Sequence, residues 1–112
     1  NMPASAPFGP FLVTADEVAN PYAIRIKLDV DGRVLQDGTT GTMLFKIAEL
    51  ISFISKQMPL EPGDIIATGT PAGLAMVHEP TAWLKPGQAV RVELEGLGML
   101  NNPIKKGVPF LE

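Results

Sequence analysis

The segment Ile24–Gln36 is the strongest local constraint on the fold of this 112-residue chain. Apolar and charged side chains alternate from Ile24 to Val30, a period of two that is typical of a strand with one buried face. Asp31-Gly32 follows directly, and this dipeptide favours a tight hairpin turn because it tolerates positive φ. The sequence therefore predicts an antiparallel hairpin whose return strand is Arg33–Gln36.

Further strands are predicted in both halves of the chain. Val90–Glu95 repeats the alternation, and the glycines that follow are expected to bend the chain before another strand at Met99–Ile104. Short apolar runs at Phe8–Thr14 and Ile65–Thr68 predict two more strands. Because helices do not separate these segments in a regular order, the pattern disfavours a doubly wound parallel sheet.

One amphipathic helix is predicted, from Thr42 as its N-cap to about Gln57. Its apolar positions follow helical spacing, and they are expected to pack in the core. Pro59 and Pro62 prevent its continuation. The sequence thus predicts an α+β, β-rich domain with short strands joined by turns, which fits a composition of 11 Gly and 11 Pro.

Composition excludes several classes of function. The net charge is −3 without a cluster of Lys or Arg, which argues against a nucleic-acid partner. The absence of cysteine excludes disulfides, zinc–cysteine sites and cysteine nucleophiles, and it fits a cytoplasmic protein. No apolar run approaches the roughly 18 residues that span a bilayer, so no membrane partner is expected.

The loop Gly69–Gly73 is the most informative candidate site. It follows an apolar segment, and its terminal glycines allow the backbone to approach a ligand closely. Thr68 and Thr70 offer hydroxyl groups, and exposed N–H groups of such a loop can hold a carboxylate. From the residues alone, an ordinary strand-to-loop turn remains the alternative interpretation.

Other candidates have simpler interpretations. Glu93 and Glu95 lie on one strand face and could bind a divalent cation, but a solvated face beside Arg91 is the favoured interpretation. The lone His78 is interpreted as a surface loop residue rather than a catalytic base or a ligand, and no nucleophile elbow or phosphate-binding loop is present in the sequence. Trp83 is expected to fill a small apolar pocket.

Five segments resemble the fumarylacetoacetate hydrolase family, and they follow one another in the family's order over nearly the whole chain. The segment with the most specific match contains the candidate loop and ends at Gly73. The matching segments are Pro7–Glu17, Gln36–Phe45, Leu60–Gly73, Leu84–Gly98 and Asn102-Pro103.

The resemblance implies a partial mixed β-sandwich roll and a homodimeric enzyme that uses Mg²⁺ or Mn²⁺. Members of the family hydrolyse, isomerise or decarboxylate small 2-keto acids, often in the breakdown of aromatic compounds. The family's loop threonine corresponds to Thr70, so the resemblance implies that Thr70, with Gly69, holds the carboxylate or keto group of the substrate.

The metal-binding carboxylates and the His-Glu base pair of the family lie N-terminal to the matched segments, and its substrate-facing lysine would fall just before Asn1. Residues 1–112 are therefore expected to be the C-terminal part of a single catalytic domain. No catalytic or metal-binding residue is assigned within them, and the chain alone is expected to be inactive and to bind no metal tightly. The alternative is a non-catalytic half-domain used for dimerisation or binding.

Overall fold

The structure, a computed structural model, describes residues 5–107 and has the predicted α+β class. Four strands form one sheet in the order β2-β1-β3-β4, and every neighbouring pair is antiparallel. The strands are β1 (Arg25–Val30), β2 (Arg33–Thr39), β3 (Ala89–Leu94) and β4 (Gly98–Pro103). One α-helix, α1, spans Ile47–Ser55, and three short 3-10 turns lie at Ala15–Glu17, Thr40–Thr42 and Ala75–Val77. The domain prediction over residues 1–112 extends beyond the described residues at both ends.

The predicted hairpin is confirmed as β1 and β2. Asp31 and Gly32 both have positive φ, 51° and 85°, as a tight turn of this kind requires. The pairing register passes from Leu28 opposite Gln36 to Asp29 opposite Val34, so Leu35 is an extra residue without a partner in the ladder. This β-bulge bends the outer strand and turns the Leu35 carbonyl towards a neighbouring loop.

An ion pair with a buried carboxylate joins the two central strands. Asp29, 6% exposed, lies opposite Arg91 of β3 and accepts a hydrogen bond from its Nε at 2.7 Å. Its second oxygen accepts from the backbone N–H of Gly32, which ties the ion pair to the hairpin turn. The Arg91 guanidinium holds the pKa of the Asp29 carboxyl below its ordinary value.

Acid is expected to weaken the fold through this ion pair. A carboxyl whose pKa is lowered by folding stabilises the protein above its unfolded pKa of about 3.9, and it loses that contribution as the pH falls through the folded pKa. Urea unfolding between pH 7 and pH 2.5 should therefore show a smaller acid-induced loss of stability in Asp29→Asn than in wild type.

Asp37→Asn is the matched control, because Asp37 also pairs with an arginine, Arg25, but both side chains of that pair are exposed to solvent. Solvent screens that pair, so Asp37→Asn should change the acid dependence less than Asp29→Asn does. An equal effect of the two variants would contradict the larger contribution to acid-dependent stability that we assign to the pair of Asp29 with Arg91.

The helix begins later than predicted. The Thr42 hydroxyl donates to the Thr39 carbonyl at 2.8 Å and closes a 3-10 turn, so Thr42 is not the N-cap. Helix α1 starts at Ile47, where the Glu49 carboxylate accepts from the Lys46 N–H at 2.7 Å and the Tyr22 hydroxyl accepts from the Ile47 N–H at 3.1 Å. Residues 43–46 are therefore an irregular segment.

No helix among residues 5–107 is both long and apolar enough to cross a membrane.

Two predicted strands are not formed. Phe8–Thr14 and Ile65–Thr68 have no strand assignment, since neither pairs with an edge of the four-stranded sheet. Their apolar side chains are largely exposed, at 78% for Leu12 and 72% for Ile65. The predicted strand at Val90–Glu95 and the bend after it are confirmed as β3 and the turn into β4.

The buried core of the described chain is small. Of the hydrophobic side chains in residues 5–107, only Val30 is buried. No residue of α1 is buried, so the prediction that its apolar stripe packs in the core is wrong for this chain. Trp83 is 62% exposed, and the prediction that it fills an apolar pocket is also wrong. The apolar faces of the sheet and the helix are thus largely uncovered.

Candidate functional site

The loop Gly69–Gly73 is fixed to the outer strand β2 by one buried side chain. Gln36, 9% exposed, points its amide nitrogen at the loop. Nε2 donates to the Pro71 carbonyl at 2.7 Å and to the Thr70 hydroxyl oxygen at 2.9 Å, and the Ala72 carbonyl lies at 3.4 Å. A buried amide has to find partners within the protein, and Gln36 finds all three in this loop.

Close backbone packing holds the rest of the loop. A Cβ on Gly38 would lie 3.1 Å from Pro71 Cβ, so the proline ring rests directly on the strand. Gly73 has φ of +101°, and a Cβ there would collide with the carbonyl of Leu35, the bulge residue. His78 contacts the Gly73 carbonyl through Nε2 at 3.1 Å, which fixes the end of the loop. His78 lies in a loop, as predicted, but it is partly buried rather than on the surface.

The loop forms one wall of a cleft of about 290 Å³. Thr68 to Pro71 line this wall, and the segment 39–45 with Leu50 of α1 lines the opposite one. Apolar side chains supply much of the surface: Ile26, Met43, Leu44, Phe45 and Leu50. The cleft is near the lower size limit for small-molecule sites, and no acidic residue belongs to its lining.

The threonine hydroxyls of the two walls are engaged in different ways. Thr40 and Thr42 donate to the carbonyls of Ile24 and Thr39, at 3.4 and 2.8 Å, and so use their protons within their own wall. The Thr39 and Thr70 hydroxyls instead accept, from the Gly41 N–H and from Gln36 Nε2 respectively. A hydroxyl carries one proton and two acceptor sites, so accepting from Gln36 leaves the Thr70 proton available for a further acceptor.

The structure brings together some of the residues singled out from the sequence and leaves others apart. Gly69 and Thr70 both line the cleft, and their role in substrate binding stays a prediction. A Cβ on Gly69 would meet open space, so this part of the wall is accessible to a ligand. Glu93, on β3, and Glu95, directly after β3, are exposed, and no cluster of His, Cys, Asp and Glu within residues 5–107 has the geometry of a metal site.

Sequence reasoning missed Gln36 and the irregular segment after β2. Gln36 is a polar residue at a buried strand position, which is the signal that could have identified it, because such a side chain requires specific partners. The segment 43–46 was assigned to the helix, and its cleft-lining role follows only once the helix is known to begin at Ile47.

Comparison with known proteins agrees with this architecture. The family model for the fumarylacetoacetate (FAA) hydrolase C-terminal region matches residues 1–105. The chain belongs to the fumarylacetoacetate hydrolase family. The predicted family membership is therefore confirmed, and the sheet, the helix and the loop described above are those of this family's C-terminal region.

Solved structures of fumarylacetoacetate hydrolase family enzymes superpose well on the chain. A fumarylacetoacetate hydrolase from psychrophilic Exiguobacterium antarcticum is 39% identical with a TM-score of 0.84, over 88% of this chain and 35% of its own. A maleylpyruvate hydrolase from Sphingobium sp. SYK-6, in complex with manganese(II) and pyruvate, is 32% identical with a TM-score of 0.79, over 89% and 35%. A 5-carboxymethyl-2-hydroxymuconate delta-isomerase from Mycobacterium smegmatis is 34% identical with a TM-score of 0.73, over 87% and 35%.

The chain spans about a third of the length of the curated relatives that it matches, at 50% and 44% identity for two of them, from Burkholderia multivorans and Staphylococcus epidermidis. Similar fumarylacetoacetate hydrolase family proteins thus include both hydrolases and isomerases. Family membership alone does not choose between these reactions.

Proposed function

We propose that this chain is the part of a 2-keto-acid hydrolase or isomerase that holds the acid end of the substrate. The observation that carries the proposal is the Thr70 hydroxyl, which lines the cleft and accepts from Gln36, so that its proton is available to a ligand. A carboxylate or keto oxygen is the complementary acceptor. A hydrogen bond to a charged acceptor contributes more than one between neutral groups.

The chemistry of the cleft suits such a substrate. Its lining holds no acidic side chain that would repel an anion, and its apolar side chains can pack against a short carbon chain. Pro71 stiffens the loop, and the contacts from Gln36 and Gly38 fix its position before a ligand arrives. The loop is therefore preorganised, which lowers the entropy lost on binding.

The family's metal does not fit the residues of this chain. The cleft lining contains no carboxylate or histidine, and the described residues elsewhere form no cluster that could hold an ion. We propose that Mg²⁺ or Mn²⁺ is bound by parts of the enzyme outside this chain. The support is the similar maleylpyruvate hydrolase, whose structure contains manganese(II) together with pyruvate.

Exposed apolar surface supports the proposal that the chain works as part of a larger enzyme. Its accessible surface is 9089 Å², against about 6,000 Å² for a compact monomer of this mass. The side chains left open include Phe8, Phe11, Phe45 and Phe53. We propose that the rest of a longer chain and the second subunit of a homodimer cover this surface. The proposed location of the enzyme is the cytoplasm. The rival, a non-catalytic half-domain that binds a partner, accounts for the same surface but gives no role to the available Thr70 hydroxyl on the cleft wall.

The test is turnover of acetylpyruvate by the full-length protein that carries this chain, with Mn²⁺ or Mg²⁺ present. The control substrate is 2,4-pentanedione, which has a methyl group in place of the carboxylate. We expect kcat/KM to be lower for pentanedione by at least about a hundredfold, since a site built to bind an acid leaves a polar group unpaired with the analogue.

The isolated 112-residue chain should bind either metal weakly and show no turnover above buffer. Equal turnover of the two substrates by the full-length protein would contradict the proposed function, and no turnover of acetylpyruvate would exclude its hydrolase form. Submicromolar metal binding by the isolated chain would show that a metal site had been overlooked.

A further inference from the structure

Three acceptors fix the orientation of the Gln36 side-chain amide. The carbonyl oxygens of Pro71 and Ala72 lie at 2.7 and 3.4 Å from one end of this amide, and the Thr70 hydroxyl lies at 2.9 Å from the same end. Carbonyls cannot donate, so the amide oxygen would be repelled at this position and the nitrogen must occupy it. The orientation therefore rests on the chemistry of the surroundings.

This orientation determines the direction of the Thr70 proton. The amide nitrogen of Gln36 has only hydrogens to offer, so Thr70 Oγ1 must accept from it. A hydroxyl that accepts along one direction directs its own proton elsewhere. Since Thr70 is exposed on the cleft wall, that proton is directed away from the strand and towards the cleft.

We infer that Gln36 is a positioning residue that makes the Thr70 hydroxyl a hydrogen-bond donor to the acid end of the substrate. This inference deepens the proposed function and rests on it for the identity of the ligand. Gln36 does not touch the substrate itself. It acts from β2, through Thr70, and its other hydrogen bonds hold the loop backbone.

Two replacements of Gln36 distinguish the effect of its amide donor from the effect of its side-chain shape. Gln36→Met keeps a similar length and removes both donors, whereas Gln36→Glu keeps the shape and offers only acceptors when ionised. Gln88→Met is the matched control. Gln88 also supports a loop, by accepting from the Lys85 N–H at 2.7 Å, but that turn lies outside the cleft lining.

Kinetics with acetylpyruvate in the full-length protein distinguish positioning from general support of the fold. We expect both Gln36 variants to raise KM about tenfold and to change kcat less than about threefold, because the lost interaction holds the acid end equally in the ground state and the transition state. Gln88→Met should have wild-type KM. In a Thr70→Ala background, Gln36→Met should raise KM much less, since the part of its effect that acts through the hydroxyl is already lost.

Unchanged KM in Gln36→Met, or an equally large rise in KM in the Thr70→Ala background, would overturn the inference. If the Gln36 variants fail to fold, or if the wild type does not act on keto acids, neutron diffraction from crystals of the unmodified protein decides the matter. That measurement locates the Thr70 hydroxyl proton. A proton directed into the cleft supports the role of Gln36 even if the proposed function fails, and a proton directed at Gln36 overturns it.

Discussion

Replacing Gly73 by alanine is expected to destabilise the fold by roughly 3 kcal/mol or more. A side chain at φ of +101° carries backbone strain of its own, on the order of 1–3 kcal/mol. The new Cβ would also collide with the Leu35 carbonyl and lie 3.2 Å from Gln36 Cγ. Backbone cannot rotate away as a flexible side chain can, so the loop or the bulge would have to move. Urea unfolding measures the loss.

Gly63→Ala isolates the contribution of that collision. Gly63 has φ of +102°, almost the same as Gly73, but a Cβ there would meet nothing within 4 Å. Its replacement should cost only the backbone strain, roughly 1–3 kcal/mol. Equal destabilisation by the two variants would show that the loop does not dock on the bulge as described.

The sequence predicted the elements whose signals are local. The alternation from Ile24 to Val30, together with Asp31-Gly32, was sufficient for the hairpin, because strand period and turn chemistry are properties of adjacent residues. The same holds for β3 and for the bend before β4. The α+β class follows from these elements and the single helix.

Elements that depend on distant partners were predicted less well. An apolar run such as Ile65–Thr68 becomes a strand only when another strand pairs with it, and periodicity does not reveal that partner. The helix was predicted to follow an N-cap at Thr42 but begins at Ile47, because the Thr42 hydroxyl donates to the Thr39 carbonyl instead of capping a helix. Both interactions of the hydroxyl are plausible from sequence, and the conformation of the preceding turn decides between them.

At the candidate site, too, local features were predicted from the sequence and a contact between distant residues was not. Glycine and threonine in the loop indicated a place where the backbone approaches a ligand, and the resemblance singled out Thr70. Gln36 could not be connected to Thr70 in advance, because 34 residues separate them. Their contact also depends on the bulge at Leu35, which shifts the pairing of β2 with β1 and has no signature in the residues themselves.

Loss of the Thr70 hydroxyl is expected to reduce kcat/KM for acetylpyruvate about tenfold or more in the full-length protein. Thr70→Ala removes the donor to a charged acceptor, an interaction that contributes roughly 1.5–3 kcal/mol. Thr70→Ser keeps the hydroxyl and should retain most of the activity. Both variants should fold, because Thr70 is exposed and neither replacement opens a cavity in the core. Melting curves for the two variants check this point.

The most direct measurement is the inhibition constant of pyruvate against acetylpyruvate in wild type, Thr70→Ala and Thr70→Ser, at one metal concentration. Pyruvate is little more than the acid end of the substrate, so its affinity reports on the group that the loop is proposed to hold. We predict that Thr70→Ala weakens pyruvate binding about tenfold or more, in line with the lost hydrogen bond, and that Thr70→Ser stays close to wild type. The same constant in all three proteins, with unchanged melting temperatures, would contradict the assignment of this loop to the substrate's acid end.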